Sequence, residues 1–188
     1  MKTLITTTIV AMVLCSACAS KDTSTPTVAQ EGNPAPVETQ GPTNAEAVFT
    51  AAKKQKAKGT IHFTQSGETV MVEGMLTGLK PGSHGFHIHE KGDCSVAGFA
   101  SAGGHFNPNN GSHGAADASV KHAGDLGNIV ADRKGNASYK MELSGMQVSG
   151  ASGIIGKALI IHEKKDDLKT QPTGDAGGRI ACSVIEAK

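Results

Sequence analysis

Gly85-Phe86-His87-Ile88-His89-Glu90 alternates two apolar residues with two histidines. In an extended strand, side chains two apart share one face, so Phe86 and Ile88 point one way and both imidazoles the other. Such a strand has one face for a core and one for chemistry. Neutral imidazoles side by side suit a divalent transition metal, because nitrogen donors match copper, zinc, iron and nickel better than the hard cations. At this spacing a histidine pair is a weak signal alone, and two unrelated strand histidines account for it equally well.

The same period-two pattern recurs along the chain. Thr60-Ile61-His62-Phe63-Thr64 and Val70-Met71-Val72-Glu73 flank a turn at Gln65-Ser66-Gly67 and predict a hairpin. Gly127–Ala131 and Ala137–Met141 flank a second turn at Asp132-Arg133-Lys134-Gly135-Asn136, and further strands are predicted over Ala158–His162 and Arg179–Ile185. No segment has the period of a long amphipathic helix, and 24 glycines without a tryptophan fit a chain of strands and turns. Short strands with regular turn signals predict an all-β fold, an antiparallel sandwich or barrel.

Between the early and late strands, Lys91 to Gly127 is loop by composition, and loops of this length in a compact domain are functional or tied down. It contains His105, His113, His122 and Asp125, a full tetrahedral set for zinc of the structural kind. His122 and Asp125, three residues apart, are close enough for one turn to present both to one ion. Cysteine arithmetic predicts a second tie: outside the first 18 residues there are Cys94 in the loop and Cys182 in the last strand, and an exported chain meets an oxidising compartment, so the two are expected to form a disulfide.

Export is read from residues 1–18. Lys2, an apolar run from Leu4 to Leu14 too short to span a bilayer, and small residues before cysteine form a signal sequence. Ser16-Ala17-Cys18 resembles the box of bacterial lipoprotein signals, which makes Cys18 the expected lipidated residue, although Cys15 stands where Leu is usual. The alternative is cleavage after Ala17-Cys18-Ala19 to release a soluble protein; the lipoprotein reading is preferred because it accounts for Cys18. Residues 19–45, rich in Thr, Pro, Gln and Glu, cannot bury enough apolar surface to offset ordering and are expected to be a disordered linker. One domain is expected over 46–188. A formal net charge of +1 gives no basis for nucleic-acid binding, and the run Lys53-Lys54-Gln55-Lys56-Ala57-Lys58 reads as a solvated strand edge.

Together these pieces resemble the copper/zinc superoxide dismutases. The resemblance is carried in family order by Gly85–Glu90, by Ser101-Ala102-Gly103-Gly104-His105-Phe106-Asn107-Pro108 and by His122-Ala123-Gly124-Asp125-Leu126-Gly127-Asn128. It continues through His162-Glu163-Lys164-Lys165-Asp166-Asp167-Leu168 and Gly174-Asp175-Ala176-Gly177-Gly178-Arg179-Ile180-Ala181-Cys182. It implies a Greek-key, immunoglobulin-like β-sandwich or barrel with long metal-binding loops, an architecture known for this family. It also implies one copper and one zinc per subunit, with superoxide as the substrate, dismuted to oxygen and hydrogen peroxide in antioxidant defence.

Carried over residue by residue, the resemblance makes His87, His89, His105 and His162 the copper ligands and His105, His113, His122 and Asp125 the zinc ligands, with His105 bridging. It makes His105 a proton carrier and Asp166 the carboxylate that hydrogen-bonds a histidine of each metal. Arg179 becomes the guanidinium that attracts and positions the anion, with Lys164, Lys165 and Lys169 sharing that role or forming a solvated face. His84 is then a structural histidine and His62 a solvated one, which places all eight histidines. The position of Cys94 directly after Gly92-Asp93 and the short stretch between Asp167 and Gly174 are more like bacterial members, and monomer and homodimer both stay open. A lipid-anchored protein of the bacterial cell envelope facing the periplasm is the implied setting, and Ala19 after Cys18 points to the outer membrane. A copper-buffering protein and a purely structural sandwich are the rival classes.

Overall fold

Alternation along the strands sorts the chain into an inside and an outside. The computed structural model describes residues 41–50 and 55–188. The signal at 1–18 with Cys18, and the linker up to residue 40, lie outside the described residues. Among the described residues eight strands run β1 (Asn44–Phe49), β2 (Lys58–Ser66), β3 (Thr69–Thr77), β4 (Gly82–His89), β5 (Asp125–Ala131), β6 (Ala137–Ser144), β7 (Ala158–His162) and β8 (Arg179–Ala187). All pairings are antiparallel, and the order β1-β2-β3-β6-β5-β4-β7-β8 closes into a barrel through β1 and β8. Because β6 returns beside β3 while pairing with β5, the connection is a Greek key. The seam between β5 and β6 is a single residue pair, Ala131 with Ala137. The all-β Greek-key expectation is met.

The interior is filled by inward residues of all eight strands, among them Ile61, Phe63, Val72, Phe86, Ile88, Leu126, Leu159, Ile161 and Ile185. Phe86 meets the Tyr139 ring edge-on at 5.0 Å, and the Tyr139 hydroxyl donates to Leu126 O at 2.7 Å. β1 is a strand that the sequence reading does not include. It begins within the last two residues assigned to the linker and pairs over its whole length with β2. β5 begins at Asp125, two residues before the predicted strand.

The outward faces of β4 and β7 are buried as well, because loops cover them. Ala158, Ile160 and Cys182 face outward and pack with Phe99 and Ala102 of the turn segment Ala97–Ala102. Cys94 and Cys182 form the expected disulfide, with Cα atoms 5.8 Å apart, and pin that segment to β8.

Two register shifts adjust the outward face. Between β4 and β5 the pairs are Gly85 with Asn128 and then His87 with Asp125, so β5 carries one extra residue, absorbed at Gly127 with φ +76°. Leu126 thereby enters the core while Asp125 stays beside His87. Between β7 and β8, Ile161 pairs with Ala181 and His162 with Arg179, so the extra residue Ile180 brings Arg179 alongside His162.

Replacing Cys94 and Cys182 together with Ser removes a tether spanning 88 residues. Chemical denaturation is expected to show a loss of about 4 kcal/mol in unfolding free energy. An unchanged midpoint would show that the disulfide does not hold the loop to the barrel.

Candidate metal centre

His87 and His89 leave the outer face of β4, and His162 ends β7 beside them. All three are buried. His105 joins them from the long loop through an isolated bridge to His89, with the His87 and His105 rings 4.0 Å apart. His113, His122 and Asp125 lie on the far side of His105. The sequence-predicted ligands therefore form two groups of four that share His105, and within each group the ligand-capable atoms lie within 4.8 Å of one another.

Hydrogen bonds decide which ring nitrogen faces inward. His87 Nε2–H donates to Asp166 Oδ2 at 2.7 Å, His89 Nδ1–H to Gly103 O at 2.9 Å, and His162 Nδ1–H to Gly177 O at 3.2 Å. Each acceptor has only lone pairs, so the opposite nitrogen of each ring carries a lone pair directed into the site. His89 Nε2 and His162 Nε2 face each other there at 3.4 Å. The two buried side-chain polar atoms with no hydrogen-bond partner among the described residues are His87 Nδ1 and His105 Nε2, in the same group. Orphaned polar atoms at full burial are costly unless something binds them. Four nitrogens converging in this way fit a transition metal.

The second group is built around Asp125. Its Oδ2 accepts the backbone N–H groups of Gly114 and His122 at 3.1 and 2.9 Å. Its Oδ1 faces Nδ1 of His105, His113 and His122 at 2.8, 3.0 and 3.3 Å. Tetrahedral zinc ligands stand about 3.3 Å apart, given ligand bonds near 2.0 to 2.1 Å. His113 Nε2–H donates to Asp166 Oδ1 at 3.0 Å, so once the ring gives up its second proton a lone pair at Nδ1 is left facing the Asp125 carboxylate. A cation between them relieves that opposition, and the donor set fits zinc.

Asp166 joins the groups, one oxygen to each. It accepts Leu168 N–H at 2.7 Å as well, and the Asn128 carboxamide clamps its backbone by donating to Asp166 O and accepting Asp166 N–H. At Gly174, with φ +69°, a Cβ would collide with the Asp166 carboxylate and come 2.6 Å from His113 Nε2, so the return of the loop requires glycine. Half-buried Arg179 donates from Nη1 to Phe99 O at 2.6 Å and from Nη2 to Gly103 O, the carbonyl that also takes the His89 proton. His84 lies beside the site with its two nitrogens 2.8 Å from His162 O and Lys80 O, and belongs to neither group. His62 is partly exposed on β2, near Glu46. Two residues in the site received no role from the sequence, Asn128 and Gln171. Asn128 lies in a matched segment, whereas nothing in the pattern around Gln171 marks it.

The electrostatics of the metal-free groups differ. Burial pushes His87 down to about 4, His162 to about 3 and His89 to about 2, so these rings are neutral and ready to ligate at neutral pH. His113 is also opposed by burial, but hydrogen bonds to Asp125 and Asp166 outweigh it and raise it to about 9. Burial would raise both carboxylates, yet their imidazole and backbone donors hold Asp125 and Asp166 well below the usual range.

Comparison with known proteins agrees with this geometry. Residues 57–185 match the family model described as copper/zinc superoxide dismutase. The chain is 48% identical over 133 residues to the extracellular superoxide dismutase [Cu-Zn] of Caenorhabditis elegans, a match covering 68% of this chain and 60% of that protein's length. Among solved structures, the crystal structure of the clock protein EA4 superposes with a TM-score of 0.72 at 42% identity, covering 78% of this chain and 96% of the other.

Opposite shifts predict a stability maximum for the metal-free protein. His87, His89 and His162 are lowered, so their contribution is full above the unfolded value near 6.5 and is lost as pH falls through about 4 and below. His113 is raised, so its contribution is full below about 6.5 and is lost as pH rises through about 9. Thermal melts followed by circular dichroism should give the highest midpoint near pH 6.5. A midpoint rising steadily to pH 9 would contradict the state assigned to His113.

Proposed function

This chain belongs to the copper/zinc superoxide dismutase family, and on that premise we propose that it converts two superoxide ions and two protons to oxygen and hydrogen peroxide. The observation that carries the reading is the pair of orphaned buried nitrogens, His87 Nδ1 and His105 Nε2, beside the facing lone pairs of His89 Nε2 and His162 Nε2. His87 Nδ1, His89 Nε2, His105 Nε2 and His162 Nε2 would hold copper. Nδ1 of His105, His113 and His122 with Asp125 Oδ1 would hold zinc. Bound copper supplies the one-electron acceptor and donor that dismutation needs, and bound zinc supplies a fixed positive charge on the shared ring.

The chain's own groups do the rest. Asp166 fixes the tautomers of His87 and His113 and so aims one nitrogen of each ring at its group. Arg179 is held by two carbonyls with its charge next to His89 and His162, where it attracts and orients the anion. When it is not ligating, His105 Nε2 would be free to take up a proton from solvent and to deliver it to the departing peroxide.

The cellular setting is also a proposal. The signal at 1–18 exports the chain, Cys18 carries the lipid, the stretch from 19 up to β1 forms the tether, and the domain that begins with β1 at Asn44 works at the periplasmic face of a bacterial outer membrane. A second copy is not needed to complete the site, since both groups of four come from one chain.

Purified protein loaded with both metals should contain close to one copper and one zinc per chain and turn over superoxide rapidly. Both metals bound without turnover would make it a metal-buffering relative. Arg179→Ile should lower the rate at low salt by about tenfold and flatten its dependence on ionic strength. Equal rates at low salt would refute steering by this residue.

Mass spectrometry of the mature N-terminus should find acylated Cys18. An unmodified chain starting at Ser20 would refute the anchor.

A further inference from the structure

Each residue in the two metal groups needs a fixed backbone as well as a fixed ring. His87 and His89 lie in β4 and His162 in β7, within the sheet ladder. His105 is bridged to His89, and Asp125 lies in β5. His122 is held by its own turn, with its O accepting Asp125 N–H and its N–H donating to Asp125 Oδ2. His113 differs. It sits in irregular chain between Gly111 and Gly114, and among the described residues no backbone–backbone hydrogen bond involves it.

Its backbone is held by one side chain instead. Gln171 Oε1 accepts His113 N–H at 2.8 Å, and Gln171 Nε2 donates to His113 O at 3.0 Å. The carboxamide thus pairs with both polar groups of one residue, as a neighbouring strand would. A further bond from Nε2 to Lys169 O at 3.1 Å fixes the carboxamide against its own loop. Gln171 is itself exposed while His113 is buried, so packing of its stem contributes little and its directed bonds remain. The same loop carries Asp166, which holds the other end of His113 through the ring.

We propose that Gln171 is the positioning residue for His113, and that through it the 163–178 loop sets how firmly the chain retains zinc. The proposal rests on the metal assignment given above. Partners that orient a ligand without touching the metal typically change affinity by 10- to 100-fold. Asp166 keeps its hold on the ring when Gln171 is changed, so the lower end is expected. The effect is selective, because Gln171 bonds to none of His87, His89 or His162.

The test uses the full-length metal-free chain and its Gln171→Met and Gln171→Ala variants, titrated separately with zinc and with copper against a chromophoric chelator. Cobalt(II) absorption reports the geometry of the zinc group, and circular dichroism verifies the fold. Both variants should bind zinc about tenfold more weakly than wild type, with a weakened cobalt spectrum and unchanged copper affinity. Wild-type zinc binding with variants within about twofold of it overturns the proposal alone. An equal loss of both metals shows general loosening and overturns it too. Wild type taking up no zinc overturns the metal assignment, and this proposal with it.

Discussion

Asp166 is a buried carboxylate shared between two imidazoles, and much of the outer face depends on it. A buried charge is tolerated only when its lone pairs are taken up. Here His87 takes one oxygen, and His113 together with Leu168 N–H takes the other. The arrangement works in both directions: the imidazoles keep the carboxylate ionised, and the carboxylate fixes which nitrogen of each ring remains free. Without it both rings could turn or change tautomer, and four lone pairs would no longer converge. The loop from 163 to 178 can cross the barrel's outer face because Asp166 anchors it there and Asn128 holds the anchor's backbone.

The same face explains why so much of this protein is irregular. β4 and β7 bury both surfaces, yet apart from histidines and Gly85 the buried outward residues are only Ala158 and Ile160, too few to form a second core. Long loops cover them, and ordering a loop costs conformational entropy that its own apolar contacts do not offset. Point ties supply the difference: the disulfide at one end of the long loop, Asp125 binding two backbone amides in its later part, and the carboxamides of Asn128 and Gln171 between loops. The metal groups are the largest of these ties, so a loop that builds a metal group is also held by it.

Much of the fold was legible because the strands keep strict alternation. Phe86 and Ile88 against His87 and His89 gave the two faces of β4 directly, and the hairpin of β2 and β3 could be read in the same way. β1 escaped because its inward residues are Ala45, Ala47 and Phe49, and alanine contributes little to an apolar period and favours strand only weakly. The ligand residue types could be read from the loop, and their assembly from the resemblance. What could not be read was which ring nitrogen faces inward, since that depends on carbonyls and carboxylates distant in sequence. Gln171 was invisible for the same reason: its partner is a backbone 58 residues away.

The register shifts show where local pattern had to give way. In a regular ladder from Gly85 and Asn128, the residue opposite His87 would be Leu126, and Asp125 would point into the core. One extra residue at Gly127 exchanges them, leaving leucine inside and the carboxylate outside. On the other side, regular pairing from Ile161 and Ala181 would set Ile180 against His162. The shift puts Arg179 there, and Ile180 packs against the main core. Each irregularity lies beside a histidine of the site and re-aims a charged residue, a recurrent use of bulges near functional groups. Local rules are expected to fail where function demands a residue that the period would bury. Both departures from alternation in this barrel occur where a charge had to stay on the outer face.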